Sequence, residues 1–362
     1  NNLWGMIMLL SDLGWNSFFE LSFDQYKNLG LSAMRIVREN REKYIACGEL
    51  GEFNCEVSGK FRFNTESKSE FPTVGDWVVT SVIPNEKKAI IHALLPRKSV
   101  FSRKVPGQMT VEQVIAANID IVFIITGLDL NYNLRRIERF LSIAWESKAI
   151  PVVLLNKADL CPEAELRKIE VESIAIGVDV HTLSATQNTG IDILNQYIQR
   201  GKTIAFLGSS GVGKSTIINS LLGTEHLKVN EVSELGSRGR HTTTYRELIL
   251  LPSGGMVIDT PGMRELQVWG DEEGLKSVFD DIENLSLNCR YRNCSHENEP
   301  GCAVQKAISE NSLDPKRLES FLKLKKEYKY LEDRQTMKAS AIEKANWKSI
   351  SKLAKNIKKN GR

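Results

Sequence analysis

Two short strings occur in an order that leaves few folds open. Residues 208–216 read GSSGVGKST, a glycine-rich phosphate loop, and residues 156–159, upstream of it, read NKAD, the pattern that selects guanine. Guanine-nucleotide domains ordinarily place the phosphate loop first. Here the base-reading string precedes it, so the chain is expected to be a circularly permuted GTPase. A doubly wound α/β sheet tolerates this, because its termini can lie close together. The order of strands in space can then survive a changed order in sequence.

Each position of the phosphate loop has a physical duty. The run Gly208, Ser209, Ser210, Gly211, Val212, Gly213, Lys214, Ser215 and Thr216 is expected to wrap the phosphates, its glycines letting successive N–H groups turn inward. Lys214 places an ammonium against the β- and γ-phosphates, and the Ser215 hydroxyl is a Mg2+ ligand. The flanks agree with this: KTIAFLG (202–208) reads as a buried strand and STIINSLLG (215–223) as a helix ending at Gly. In NKAD, Asp159 accepts from guanine N1–H and the exocyclic amine, a pairing that adenine lacks. Asn156 is expected to touch the guanine edge and tie its loop to the phosphate loop. The Lys157 stem packs over the base, and Ala158 completes the turn. The apolar PVVLLN (151–156) suits a central parallel strand.

Further segments complete the expected site. HTLSATQNTG (181–190) offers the backbone N–H groups of Ser184 and Ala185 to guanine O6. After the apolar LPSGGMVID come Thr260, Pro261 and Gly262; Asp259 is expected to hold Mg2+ through water and the Gly262 N–H to sense the γ-phosphate. The polar run 230–248 reads as a mobile switch in which Thr243, with Thr242 close behind, completes the Mg2+ shell. Met263 stands where many GTPases carry a Gln that orients the attacking water. His241 is the candidate for that duty, the alternative being an exposed histidine without one.

Downstream, Cys289, Cys294, His296 and Cys302 lie within fourteen residues, a donor set suited to one structural, tetrahedral Zn2+. Arg290, Tyr291 and Arg292 lie inside that loop, within reach of phosphate or a base. Cys47, Cys55 and Cys161 show no metal spacing and read as small buried or loop residues. Reduced thiols beside a nucleotide site point to the cytoplasm.

Length leaves room for two or three domains. NNLWGMIMLL is too short for a transmembrane span and is no convincing signal peptide, and residues 1–33 read as an extension that becomes helical from residue 11. Residues 34–104 break into five short strands (MRIVREN, KYIACGEL, FNCEVSGKFRF, GDWVVTSVI and AIIHALL), which suggests an OB-type β-barrel; an SH3-like barrel or a structural cap is the alternative. The GTPase domain is expected over 105–270, a mostly helical zinc-binding domain over 271–335 and a basic tail over 336–362. Residues 315–362 carry fifteen Lys or Arg against five Asp or Glu, net +10, so with +3 overall the rest carries −7. That basic end suits RNA phosphates, or is a solvated helix face.

The succession NKAD, SA, GSSGVGKST, GRHTTT, DTPG and the Cys3His cluster, behind a barrel, resembles the RsgA (YjeQ) family over about residues 34–335. The resemblance implies an OB barrel, a permuted GTPase core and a zinc domain. It also implies GTP hydrolysis stimulated by the 30S ribosomal subunit, whose late maturation such proteins assist through contacts with 16S rRNA. Guanine and phosphate contacts then fall on Asn156–Asp159 and Gly208–Thr216, and zinc on Cys289, Cys294, His296 and Cys302. Two other readings stay open: a zinc-dependent RNA-binding scaffold with little turnover, and a GTPase serving transfer RNA or a metal-delivery partner. A monomer is expected, with no membrane role.

Overall fold

Period-two burial closes the first strands into a barrel. They are preceded by 3-10 turns at Leu10–Leu13 and Asp24–Leu29 flanking helix α1 (Ser17–Phe23). The strands are β1 (Ser32–Asn40), β2 (Lys43–Gly48), β3 (Gly51–Val57), β4 (Trp77–Ile83) and β5 (Lys88–Leu94). β1 pairs with β2 and β4, β2 with β3, β3 in parallel with β5, and β5 with β4, so the ring is complete. On β3 and β5 the residues Phe53, Cys55, Ala89 and Ile91 point inward, while Asn54, Glu56, Lys88 and His92 point out. Met34, Ile36, Tyr44, Ala46 and Val78 fill the same core. Burial pushes the Cys47 and Cys55 thiols up to about 12.

One expected strand is shorter than the sequence suggested. FNCEVSGKFRF leaves the barrel at Val57. Ser58 then caps helix α2 (Gly59–Asn64), its hydroxyl accepting from Phe61 N at 3.1 Å. Serine at that position satisfies an orphan N–H of the first turn, and the glycine after it weakens the strand.

The computed structural model describes residues 9–40, 43–104, 112–223, 246–259, 273–297 and 299–330. These form two compact units, residues 9–104 with 112–259, and residues 273–330. In the first, β6 (Val100–Lys104) and β7 (Glu112–Ala117) form an antiparallel pair. Then come β8 (Ile121–Gly127), α3 (Leu134–Glu146), β9 (Ile150–Asn156), α4 (Ala164–Glu172), β10 (Asp179–Thr182), β11 (Thr203–Leu207), α5 (Lys214–Leu222), β12 (Arg246–Leu250) and β13 (Met256–Asp259). In space the order is β10-β9-β8-β11-β13-β12, parallel except for the hairpin strand β12. Every residue of β8 and β11 is buried, as a parallel sheet covered on both faces requires. β8 leads outward through β9 to β10, and β11 leads the other way to β13. The sheet therefore reverses direction between β8 and β11, and the crevice at such a point is where open α/β sheets bind ligands.

Two features join barrel and sheet. β12 pairs with β1 at Arg38↔Glu247 and Glu39↔Arg246, so hydrogen bonding runs unbroken from one into the other. Arg246 also reaches Glu39 at 3.0 Å and Val114 O at 3.2 Å. The second is Arg35, 1% exposed, which donates to Leu13 O at 2.5 Å, Gly75 O at 3.1 Å and Asn118 O at 3.0 Å. Burial lowers its pKa to about 10, against the opposing pull of Asp120 and Asp76, so it stays charged at neutral pH. It ties the N-terminal turn, the barrel and the sheet at one point.

In the second unit are α6 (Glu273–Val278), α7 (Asp280–Ser286), α8 (Ala303–Ser309) and helical residues 315–330. Arg317 binds Asp281 through Nε at 2.7 Å and Nη2 at 2.8 Å, and Val278 O at 2.8 Å, with its guanidinium over the Phe279 ring. No described helix is long and apolar enough to cross a membrane. The basic tail 336–362 lies outside the described residues.

Candidate nucleotide site and metal centre

The motifs meet at the carboxyl edge of the parallel strands. Asn156 ends β9, Asp259 ends β13, Gly208 follows β11, and Ser184 and Ala185 follow β10. Asn156, 2% exposed, holds three of these segments together. Its Nδ2 donates to Val212 O in the phosphate loop at 2.7 Å, and its Oδ1 accepts from Ala185 N at 2.9 Å. The loop after β9 is zipped to the same segment by Ala158 N to Leu183 O at 3.1 Å.

The phosphate loop's glycines are sterically required at two places. A Cβ on Gly208 (φ +156°) would lie 2.4 Å from Ile125 O, and one on Gly213 (φ +100°) 2.2 Å from Asn156 Nδ2. Lys214 opens α5 and folds its ammonium back onto Gly208 O at 2.6 Å and Ser209 O at 2.5 Å, which fixes it at the mouth of the loop. Ser215 and Thr216 follow in the first turn of α5.

On the base side, Lys157 takes the left-handed conformation (φ +66°) and Asp159 stands exposed on the turn Ala158–Leu160, open to a partner. The Lys157 ammonium is anchored to Asp129 Oδ2 at 2.6 Å. Burial raises the Asp129 pKa, but hydrogen bonds from Lys157 and the Asn131 N–H outweigh it and hold the carboxyl below its ordinary value. Sequence reasoning missed Asp129, although an acidic residue directly after β8, beside the reversal point, was a readable signal. It also missed Arg136 of α3, whose Nη1 donates to Ser209 Oγ at 3.1 Å.

One expectation meets competing bonds. The Ser184 and Ala185 N–H groups do not stand free for guanine O6: Ser184 N donates to Thr189 O at 2.9 Å and Ala185 N to Asn156 Oδ1. Both residues are buried, and buried N–H groups take partners inside the protein. Asn156 Nδ2 carries a second hydrogen besides the one given to Val212 O. His241, Thr243, Gly262 and Met263 lie outside the described residues.

In the second unit the ligand atoms of Cys289, Cys294, His296 and Cys302 all lie within 4.8 Å of one another. Cys289 Sγ is 3.7 Å from His296 Nδ1 and 3.9 Å from Cys302 Sγ, and Cys302 Sγ is 3.5 Å from His296 Nδ1. Zn–S and Zn–N bonds of ordinary length set tetrahedral edges of about 3.8 Å between sulfurs and about 3.6 Å between sulfur and nitrogen. The donors therefore fit zinc. Cys302 caps α8, its sulfur accepting from Gln305 N at 3.4 Å, and Gln305 Nε2 secures His296 O at 2.5 Å. Burial raises the Cys289 pKa, yet the Ala303 and Val304 N–H groups and the neighbouring thiols bring it below its usual value. Burial and the Lys325 charge lower that of His296, which favours the neutral imidazole a metal needs.

The RsgA GTPase family matches residues 94–269. The small ribosomal subunit biogenesis GTPase RsgA of Opitutus terrae is 42% identical over 95% of this chain and 96% of its own length. The protein of the same name from Syntrophotalea carbinolica is 40% identical over 96% and 97%. Among solved structures, YjeQ from Thermotoga maritima superposes with a TM-score of 0.61 at 26% identity, over 82% of this chain and 98% of that one. YloQ, described as a circularly permuted GTPase, gives 0.58 at 25% identity over 83% and 95%.

Proposed function

The chain belongs to the RsgA GTPase family, and from this we propose that it hydrolyses GTP to GDP and phosphate while bound to the small ribosomal subunit, whose late maturation it assists. The ribosomal particle stimulates the reaction. The observation that carries the nucleotide half is the Asn156 side chain, which fastens a base-reading loop to a phosphate loop encoded after it. Asp159 accepts from the guanine N1–H and amine, Asn156 Nδ2 meets the base edge, and the Lys157 stem covers its face, with the ammonium anchored to Asp129. Ala185 serves by holding Asn156, and Ser184 by closing the neighbouring turn onto Thr189.

The N–H groups from Gly208 to Thr216 cradle the phosphates, and Lys214 balances charge at the β–γ bridge. Ser215, Thr243 and, through water, Asp259 would hold Mg2+, which when bound neutralises charge on the phosphate oxygens. His241 orients the attacking water, and Gly262 reports the γ-phosphate to the switch. Cys289, Cys294, His296 and Cys302 hold a structural Zn2+ whose loop presents Arg290, Tyr291 and Arg292 to 16S rRNA, supported by the barrel and the basic C-terminal segment. The protein acts in the cytoplasm as a monomer.

Co-sedimentation with 30S, 50S and free RNAs, in GDP and in a non-hydrolysable GTP analogue, tests this together with phosphate release. Tighter 30S binding in the analogue and faster release with 30S are expected. Equal 30S affinity in both nucleotides, or turnover that 30S leaves unchanged, would favour a scaffold or another target.

A further inference from the structure

We propose that Arg136 is a cation supplied in cis to the γ-phosphate, contributed by α3 rather than by a switch or a partner. The proposal rests on the guanine-nucleotide reading of the site. Asn133 caps α3, its side chain accepting from Arg136 N at 3.0 Å, and the first turn, which holds Leu134, Arg135 and Arg136, has no acidic residue. That end of a helix is electropositive, and cations there are disfavoured unless something compensates. The two arginines are compensated differently. Arg135 pairs with the buried carboxylate of Glu138 at 2.5 Å. Arg136 has a neutral hydroxyl, Ser209 Oγ, and forms no ion pair among the described residues.

Its position gives that uncompensated charge a use. Ser209 follows Gly208 in the phosphate loop, and its carbonyl receives the Lys214 ammonium at 2.5 Å. Lys214 is the group that reaches the β- and γ-phosphates. The guanidinium and the ammonium therefore converge on one residue at that end of the loop, an arrangement that favours an anion between them. A guanidinium has five N–H donors in a rigid fork and stays charged at any working pH, so hydrogen bonding to Ser209 leaves donors for phosphoryl oxygens. Met263 carries no polar group that could serve the transition state, and Arg136 supplies charge from α3.

In hydrolysis the water oxygen bonds to the γ-phosphorus as the bond to the β–γ bridging oxygen breaks. The electron pair leaves with GDP, and the water proton ends on the released phosphate. Arg136 donates hydrogen bonds to the γ-oxygens and neither gains nor loses a proton.

The test compares wild type with Arg136→Ala and Arg136→Lys. Three quantities are measured: binding of fluorescent GDP and of a fluorescent non-hydrolysable GTP analogue, single-turnover hydrolysis, and the unfolding midpoint without nucleotide. Arg136→Ala should slow hydrolysis by about 10- to 100-fold, below the roughly thousandfold or more of a fully engaged arginine finger. It should weaken the analogue at least about 5-fold while GDP binding stays within about 2-fold, because charge-assisted hydrogen bonds are lost only where a γ-phosphate is present. The nucleotide-free midpoint should hold or rise, and Arg136→Lys should recover part of both losses. Unchanged hydrolysis and analogue affinity would overturn the proposal. So would equal losses for GDP and analogue with a lowered midpoint, which would make Arg136 a support of the loop alone. Wild-type preference for GDP over ADP checks the underlying nucleotide reading separately.

Discussion

Truncating Asn156 to Ala should cost the protein its nucleotide and part of its stability together. The side chain is almost fully buried, and its two hydrogen bonds end on backbone groups of buried residues, Val212 O and Ala185 N. Removal leaves one carbonyl and one N–H without partners, each costing about 1–3 kcal/mol when no water replaces the lost group. Asn156 ends its strand at the edge of the sheet, where water can reach the space left by truncation, so the lower part of the combined range applies, about 2–3 kcal/mol. For a unit of this size that lowers the unfolding midpoint by about 4–12 °C. The effect on binding should be larger, because base loop and phosphate loop lose their common fixture and Asn156 loses its own contact with the base. The dissociation constant for GDP should rise at least about 100-fold, roughly 2.7 kcal/mol. Circular dichroism melting and titration with fluorescent GDP read the two quantities. Asn156→Asp sharpens the test: it keeps the acceptor for Ala185 N but sets a carboxylate oxygen against Val212 O, so it should bind GDP no better than the Ala variant. Near-normal GDP affinity and an unchanged midpoint in Asn156→Ala would refute the reasoning.

Other expectations follow from the same geometry. Gly213→Ala forces a side chain into left-handed backbone and against Asn156, so nucleotide binding should fall below detection by titration calorimetry, with a stability loss of about 1–3 kcal/mol. Exhaustive chelation, or Cys302→Ser, should release about one zinc per chain. Structural zinc can supply about 10–16 kcal/mol of apparent binding energy, so helical signal from residues 273–330 should go with it; full helicity in metal-free protein would contradict that. Because the guanine and phosphate residues belong to the other unit, GDP affinity should stay within about 2-fold. Arg35→Met takes the donor from Leu13 O and Asn118 O, while Gly75 O keeps Asn118 Nδ2, and should destabilise the first unit by about 2–6 kcal/mol in denaturant titration.

How much of this was readable from the sequence depended on whether the signal was local. The runs that became β8, β9 and β11 are continuous and apolar because both faces of those strands are covered, so they announce themselves. The phosphate loop, NKAD and the Cys3His cluster are equally local, since their chemistry needs fixed residue types at fixed spacing. The pairing of β1 with β12 joins residues about two hundred positions apart, and nothing in either segment specifies the other. Arg35 stands in MRIVREN as one charged residue of a short strand, with no local mark of burial. Its burial follows from three carbonyls brought together only by the fold. The Ser184 and Ala185 donors were assigned to guanine because their sequence position fits. The fold spends them on Thr189 and Asn156, a competition that motif reading does not register.

A single comparison bears most directly on the account: the affinities of the wild-type protein and of Asp159→Asn for GDP, ADP and xanthosine diphosphate. Wild type should bind GDP at least about a thousandfold tighter than ADP, because adenine leaves the Asp159 carboxylate without a partner. Asparagine at that position replaces one carboxylate acceptor with an N–H donor and should shift preference to the xanthine base, whose C2 oxygen accepts where the guanine amine donates. Equal binding of ADP and GDP by wild type, or an Asp159→Asn variant that keeps its guanine preference, would contradict a guanine site assembled from these two loops.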